Sequence, residues 1–502
     1  MINSFKDLLT KRITADELKT IEGIYSDSLY EKDNSYIFLA NFNNEKSLIV
    51  LGQGKVFDKF EGEQFLEGEG KICSLNHYNA KIMRQIFPFT SPKSYNDFPI
   101  SIGLGDRLGI ASPGHLRLTK KYDFFPVIAQ QSIRELELTG RTYSDVLDSS
   151  TWAVFQEGYE NGYGFDGDHL KKDEEIQMAL ENGATMITLD LSDYIQNEVY
   201  NMEENEIDRK YDEIPKDVRE SLENKYLNKD HLIDEELSIQ FTEEDLKKNV
   251  LIYLDGINYG IHVYNRFISE SKCNIDYEIS IDETLHTTTI QAHYFVASQL
   301  ISNGAKIRSL APRFCGEFQK GIDYIGNIEE FKKEFEMHFK ISKYYKYKLS
   351  IHSGSDKFSI FPTVGEYTKG FYHLKTAGTN WLVAIQLIAD KDPELFREIY
   401  DFAFKNLDEA KKHYHVNVNK DNNISIEYMD NKDLVNILKD DNMRQVLHIT
   451  YGLILQAKDK EGKSIFKDKI YESLNKYEEE YYEALYEHIG RHLELLGVKK
   501  NN

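Results

Sequence analysis

At 502 residues the chain exceeds what a single hydrophobic core usually organises, which implies one large domain with a smaller companion or substantial insertions. Its composition, 41% apolar and 29% charged with 33 Tyr and 28 Phe, is that of a globular protein, and its formal charge of −23 excludes nucleic acid as the main partner, because that binding needs a basic surface. Three widely spaced cysteines (Cys73, Cys273 and Cys315), no apolar run of membrane-spanning length and no signal-peptide core together predict a cytoplasmic protein without membrane attachment.

Residues 1–95 hold short strand-like runs such as YIFLANF and SLIVLGQG between polar turns, the pattern of a small α+β region. From 96 to 420 strand-like segments alternate with amphipathic ones: GYGFDGD, MITLDLSD, NIDYEISIDE, KIRSLAPRF, YKLSIHSG, FYHLKTAG and HYHVNVN. Their polar residues crowd at the C-terminal ends. That polarity favours an α/β fold of the TIM-type (β/α)8 barrel kind, whose sites grow from the loops leaving the strands, over an open doubly wound sheet that obeys the same rule. Residues 201–248, dense in Glu, Asp, Lys and Asn, read as a charged helical insertion on the barrel surface, with a lid as the sharper alternative. A helical C-terminal extension is expected over 421–502. There Ile470, Leu474, Tyr477, Tyr481, Leu485, Ile489 and Leu496 fall at helical spacing before Gly497, and His488 and His492 read as a surface pair.

The segment GLGDRLGIASPGH spaces Gly103, Gly105 and Gly109 wrongly for a dinucleotide turn and reads as a loop carrying Asp106, Arg107 and His115. GYGFDGDHLK sets Asp166 and Asp168 on one face of a strand with His169 at its end on the other. SIDETLHTTT ends a strand with Asp282 and Glu283, after Glu278 and Ser280, which suggest a polar barrel interior. Arg313, Glu317, Lys320 and Asp323 follow in SLAPRFCGEFQKGIDYIG. KLSIHSGSDKFS offers His352, Ser353, Ser355, Asp356 and Lys357, with Gly354 placed to let a ligand approach the backbone, and Arg313 or Lys357 suited to a carboxylate. HLKTAGTNW adds His373, Lys375 and Thr379, and His415 is a reserve imidazole. Three strand-end histidines beside acids point to a catalytic divalent metal, since such sites use three protein ligands and keep one position open.

Taken in order, GLGDRLGIASPGH, GFDGDHLK, SIDET, SLAPRF with GIDYIG, LSIHSGSDKFS and HLKTAGT resemble the tagaturonate epimerase family over residues 100 to 420. The resemblance implies a TIM-barrel isomerase of hexuronate catabolism that interconverts tagaturonate and fructuronate with a divalent metal cation, whether zinc, nickel, manganese or cobalt. Carried onto this chain it makes Asp168 the proton acceptor, Glu283 the proton donor, and His169, His352 and His373 the metal ligands. Asp106, Arg107, Arg313, Asp356, Lys357, Lys375 and Thr379 are then expected to bind substrate. Leu285 and His286, after Asp282-Glu283-Thr284, depart from the polar or proline-bearing residues expected there.

The inverted carbon lies beta to the ketone, where simple enolisation does not acidify its hydrogen, so metal-assisted retro-aldol cleavage and re-closure is the favoured route. The expected partner is a small-molecule keto-sugar acid; neither nucleic acid nor membrane is expected, and assembly as a homo-oligomer is left open by the sequence. A ketohexose 4-epimerase acting on fructose and tagatose, a metal-dependent aldolase and a non-catalytic sugar-binding regulator are the competing readings.

Overall fold

The computed structural model describes every residue except 43, 44, 96, 97, 377, 415, 421–423 and 502, together with all side chains but those and the ones of Phe42, Thr379 and His413. Eight parallel strands close into a barrel: β1 (Ile100–Leu104), β2 (Phe125–Ser132), β3 (Gly164–Leu170), β4 (Met186–Asp190), β5 (Asp276–Ile281), β6 (Ser309–Pro312), β7 (Lys348–Ile351) and β8 (Tyr372–Thr376). β8 returns to β1 with Tyr372 opposite Ile100, so no sheet edge is left.

The strands alternate as the pleat requires. On β5, Tyr277, Ile279 and Ile281 are fully buried within the hydrophobic core, while Glu278 and Ser280 turn to the barrel axis. That axis is polar. Ser309 Oγ donates to Glu278 Oε2 at 2.5 Å, Thr188 Oγ1 donates to Asp166 Oδ2 at 3.0 Å, and Lys348 Nζ donates to Ser101 Oγ at 2.9 Å. Burying such a column is unfavourable unless every member is bonded, so it marks a barrel whose interior serves a site.

Five of the seven expected strand segments of the barrel are β3 and β5 to β8, and MITLDLSD supplies β4. HYHVNVN does not: the described residues at 414 and 416–419 are outside any strand, and His415 lies outside the described residues. The two strands it leaves to be found are β1, inside the glycine-bearing motif, and β2, whose residues are buried on both faces and therefore show no alternation.

An antiparallel sheet of five short strands within Tyr30–Cys73 forms the N-terminal region. Between β4 and β5 the charged insertion folds as helices Glu204–Asp212 and Lys216–Tyr226 and a two-strand ribbon. It packs on the outer barrel helices Glu243–Val263 and Ile290–Ser302, with Tyr226 Oη donating to Ser298 Oγ at 3.0 Å. A second core gathers Trp381, Phe396, Tyr400, Met443 and Leu485, so the helices Thr379–Lys391 and Pro393–Lys405 pack with the C-terminal ones. The final periodic stretch is two helices, Lys467–Lys476 and Glu478–Leu495, joined at Tyr477, and Gly497 takes the left-handed φ of 69° that ends it. Among the described residues no helix is long and apolar enough to cross a membrane.

Candidate active site

The carboxyl ends of β3, β5, β7 and β8 converge on one cavity, to which the β2 loop adds Arg134 and Glu135 and the C-terminal helices add His448. At its floor Lys375 Nζ donates to Asp166 Oδ2 at 2.8 Å and Asp168 Oδ1 at 2.7 Å, bonds Thr188 Oγ1, and lies 3.1 Å from Glu278 Oε1. Burial would discharge these groups, but the ammonium among three carboxylates is held protonated and Asp168 and Glu278 stay well below the usual carboxylate range. Asp166, for which burial outweighs Lys375, is pushed up to about 6.

His169 sits at φ 54°, in the left-handed region, where β3 slips register against β4. The expectation that its ring falls on the opposite face from Asp168 is therefore corrected: the turn folds the imidazole back so that Nδ1 lies 2.7 Å from Asp168 Oδ1. Its Nε2 points toward Asp282 Oδ1 at 4.0 Å. Across the cavity His352 repeats the arrangement, with Nε2 2.8 Å from Glu278 Oε1 and Nδ1 3.1 Å from Asp282 Oδ1. Thus each imidazole keeps one nitrogen on a buried carboxylate and turns the other to Asp282, and the donor atoms of His169, Asp282 and His352 lie within 4.8 Å of one another. Carboxylate-oriented histidines around a shared acid have the donor chemistry of a divalent-metal site. Burial lowers the His169 pKa, yet Asp168 more than offsets it and raises it to about 10; the His352 pKa is also raised, by Asp282 and Glu278 against burial. The Asp282 carboxylate is held below its usual range by His352 and His169 against burial.

His373 is not part of this group. It faces the axis opposite Ser101 and Ser350, two residues before Lys375 and so one layer deeper, with Nδ1 2.8 Å from Ser101 Oγ. Burial drives its pKa down to about 3. Asp282 takes its place among the candidate ligands. Strand alternation carried the signal: Glu278, Ser280 and Asp282 form one inward row, whereas Glu283, the next residue, is at the cavity rim with 42% of its side chain exposed and Arg134 4.0 Å away.

Of the expected substrate contacts, Arg107 and Lys375 line the cavity and Arg313 lines an adjoining outer one that also holds Phe314 and Phe318. Arg107 is already engaged, at 2.8 Å from Glu135 Oε1 and stacked 3.9 Å over Tyr451. Three expectations are corrected. Asp106 is consumed by its own loop, accepting from the N–H groups of Leu108, Gly109, Ala111 and Ser112 at 2.7–3.1 Å. Lys357 Nζ, buried outside the cavity, donates to the carbonyls of Gln319, Ile322 and Ser355, and burial pulls its pKa down to about 7. Asp356 is buried beneath the last helix, paired with Arg444 at 2.7 Å. Gly354 donates its N–H to Lys375 O at 3.0 Å, so its closeness serves β8 and not a ligand. The side chain of Thr379 lies outside the described ones.

His492 is buried, which corrects its reading as half of a surface pair. With Asp356 and His488 it forms a second His/Asp group within 4.8 Å. Most of its donors are engaged elsewhere: His492 Nε2 accepts the Asp356 N–H at 3.1 Å, its Nδ1–H donates to His488 O at 2.9 Å, and Asp356 Oδ2 accepts from Arg444, which leaves His488 Nε2 and Asp356 Oδ1 facing each other at 2.8 Å.

Comparisons with known proteins agree over most of the chain. The family model described as tagaturonate epimerase matches residues 25–496. The Thermotoga maritima protein named tagaturonate/fructuronate epimerase is 39% identical over 481 residues, covering 94% of this chain and 96% of that protein. Crystal structures of the fructuronate-tagaturonate epimerase of Cohnella laeviribosi, native and complexed with one glycerol, align with TM-scores of 0.93 at 46% identity, covering 95% of this chain and 96% of theirs.

Proposed function

The chain belongs to the tagaturonate epimerase family and is an epimerase, and from this premise we propose that it interconverts D-tagaturonate and D-fructuronate by inverting the carbinol carbon beta to the ketone, using a divalent cation held by His169, Asp282 and His352. The observation that carries the reading is the pair of imidazoles facing Asp282, each backed by a buried carboxylate. Bound there, a cation would supply Lewis-acid polarisation of the substrate ketone.

The chain's own groups account for the proton movements. Asp168 Oδ1 is occupied by His169 and Lys375, whereas Oδ2 has only Gln130 Nε2 at 3.4 Å, which leaves it able to accept the proton of the beta hydroxyl. With that proton removed, the carbon–carbon bond between the alpha and beta positions opens, its electron pair stays with the ketone half, and the beta carbon becomes an aldehyde. Rotation of the aldehyde and re-closure on its other face invert the centre, and Glu283, exposed at the cavity rim, gives a proton to the new alkoxide; proton exchange with solvent then restores both carboxyl groups. Lys375, clamped by three carboxylates, holds Asp168 ionised before the proton arrives and fixes its position while it carries it.

The test is to follow product stereochemistry by NMR with protein repleted in turn with zinc, nickel, manganese or cobalt, offered tagaturonate, fructuronate, tagatose and fructose, beside a chelated sample. Cation-dependent formation of fructuronate from tagaturonate is the expected result. Turnover of the neutral ketoses alone would replace it with a ketohexose 4-epimerase, and cation-independent turnover would remove the metal from the scheme.

A further inference from the structure

A uronate differs from its neutral ketose in one carboxylate, and a chain of formal charge −23 must receive that anion with a local cation. The cavity contains four candidates, and three are already balanced. Lys375 is shared among Asp166, Asp168 and Glu278. Arg107 is bonded to Glu135 through Nε at 2.9 Å and covered by Tyr451. Arg134, 42% exposed, stands at the rim 4.0 Å from Glu283 and 5.2 Å over Tyr414.

Lys320 is different. It is recessed in the wall where the inner and outer cavities meet, and among the described residues the one bond of its side chain is a donation from Nζ to Ser353 Oγ at 2.8 Å. Among the described residues no carboxylate lies within 4.0 Å of it, although every other lysine or arginine lining the inner cavity has one. An ammonium withdrawn from water with a single neutral acceptor is costly to hold, and an arriving anion would relieve that cost. Burial first, and then the neighbouring Arg134, push its pKa below the usual lysine value against the more distant carboxylates of Glu283 and Glu135.

Its position is as telling as its charge. Ser353 follows His352 directly, so the hydroxyl that holds Lys320 ties the ammonium to the flank of the imidazole group proposed to receive the ketone. We propose that Lys320 is the specificity-determining residue that receives the substrate carboxylate, with Ser353 setting its direction, and that it separates keto-hexuronates from neutral ketohexoses. The inference rests on the uronate reading of the same cavity. Lys357 and Arg313, the cations favoured by the sequence, do not compete: one is spent on three carbonyls outside the cavity and the other lines only the outer chamber.

The experiment is a comparison of full-length, manganese-repleted wild type, Lys320→Met, Lys320→Arg and Arg134→Met. It reads kcat and KM for tagaturonate and the inhibition constant of D-tagatose as a neutral competitor. Lys320→Met is expected to raise KM about 100-fold with kcat and the tagatose constant each changed less than about 3-fold, and Lys320→Arg to recover most of the KM. An unchanged KM overturns the proposal. So does a tagatose constant that weakens in parallel, which would make Lys320 a packing residue, or a larger KM rise in Arg134→Met. Failure of the uronate reading is seen separately, as a wild type that does not turn over tagaturonate.

Discussion

Two groups of one aspartate and two histidines, each with donor atoms within 4.8 Å, draw on the segment following β7, one through His352 and the other through Asp356. At the barrel mouth His169, Asp282 and His352 face a cavity, and the far nitrogen of each imidazole is held by Asp168 or Glu278. Beneath the last helix Asp356, His488 and His492 face one another too, yet Asp356 is neutralised by Arg444 and the His492 nitrogens are taken by backbone groups. Identical residue types in similar proximity thus form a candidate metal centre in one place and a latch joining the last helix to the barrel in the other. What separates them is the partner behind each ligand: at the mouth a carboxylate orients each imidazole, whereas beneath the last helix an arginine and main-chain groups engage Asp356 and both His492 nitrogens, and only His488 Nε2 and Asp356 Oδ1 remain to face each other at 2.8 Å.

The sharpest way to break this comparison is Asp282→Asn, which keeps the shape and removes the charge that both imidazoles face. Turnover is expected to fall about 10³-fold, or about 4 kcal/mol of transition-state stabilisation, with loss of bound cation by elemental analysis. A variant that retained both its cation and its rate would remove the mouth group from the chemistry. The latch should answer to acid instead. Burial first, and then His488, push the His492 pKa down to about 4, with Asp356 acting the other way and Arg491 adding to the depression. Its unfolded-state value is about 6.5, so the contribution to stability is complete above pH 6.5 and is lost as pH falls to about 4, by up to ~3 kcal/mol. Denaturant titrations at pH 7 and pH 4 should show this loss, and His492→Gln should flatten it; equal slopes in the two proteins would mean that His492 is not the group titrating.

Much of this is legible in the sequence, and the omissions have physical causes. β3, β5, β7 and β8 end in polar clusters that a barrel needs at its mouth, so their placement followed from alternation and from the rule that sites sit at carboxyl ends. β2 was hidden because a strand buried on both faces has no period, and with it Gln130, Arg134 and Glu135 went unseen. His448 reaches the cavity from helix Asp441–Ile449, more than sixty residues beyond the last barrel strand, where no local spacing could announce it. The errors among the named residues share one cause: Asp106, Asp356 and Lys357 have the right chemistry, but hydrogen bonds to neighbouring backbone or to Arg444 consume it, and such partners are a property of the fold rather than of the motif.

The smallest expected effect sharpens the contrast most, because it separates stability from turnover at one residue. Asp356 holds a φ of 60°, a conformation that asparagine tolerates about as well, so Asp356→Asn changes the charge without straining the turn. It leaves the partly buried Arg444 guanidinium facing a neutral oxygen, for an expected loss of about 2 kcal/mol in unfolding free energy. Asp356 does not line the inner cavity, so kcat, KM and cation content measured on the folded protein should stay within about 2-fold of wild type. The opposite pattern, a protein as stable as wild type that has lost cation and turnover, would make the latch the metal centre and exchange the roles of the two groups.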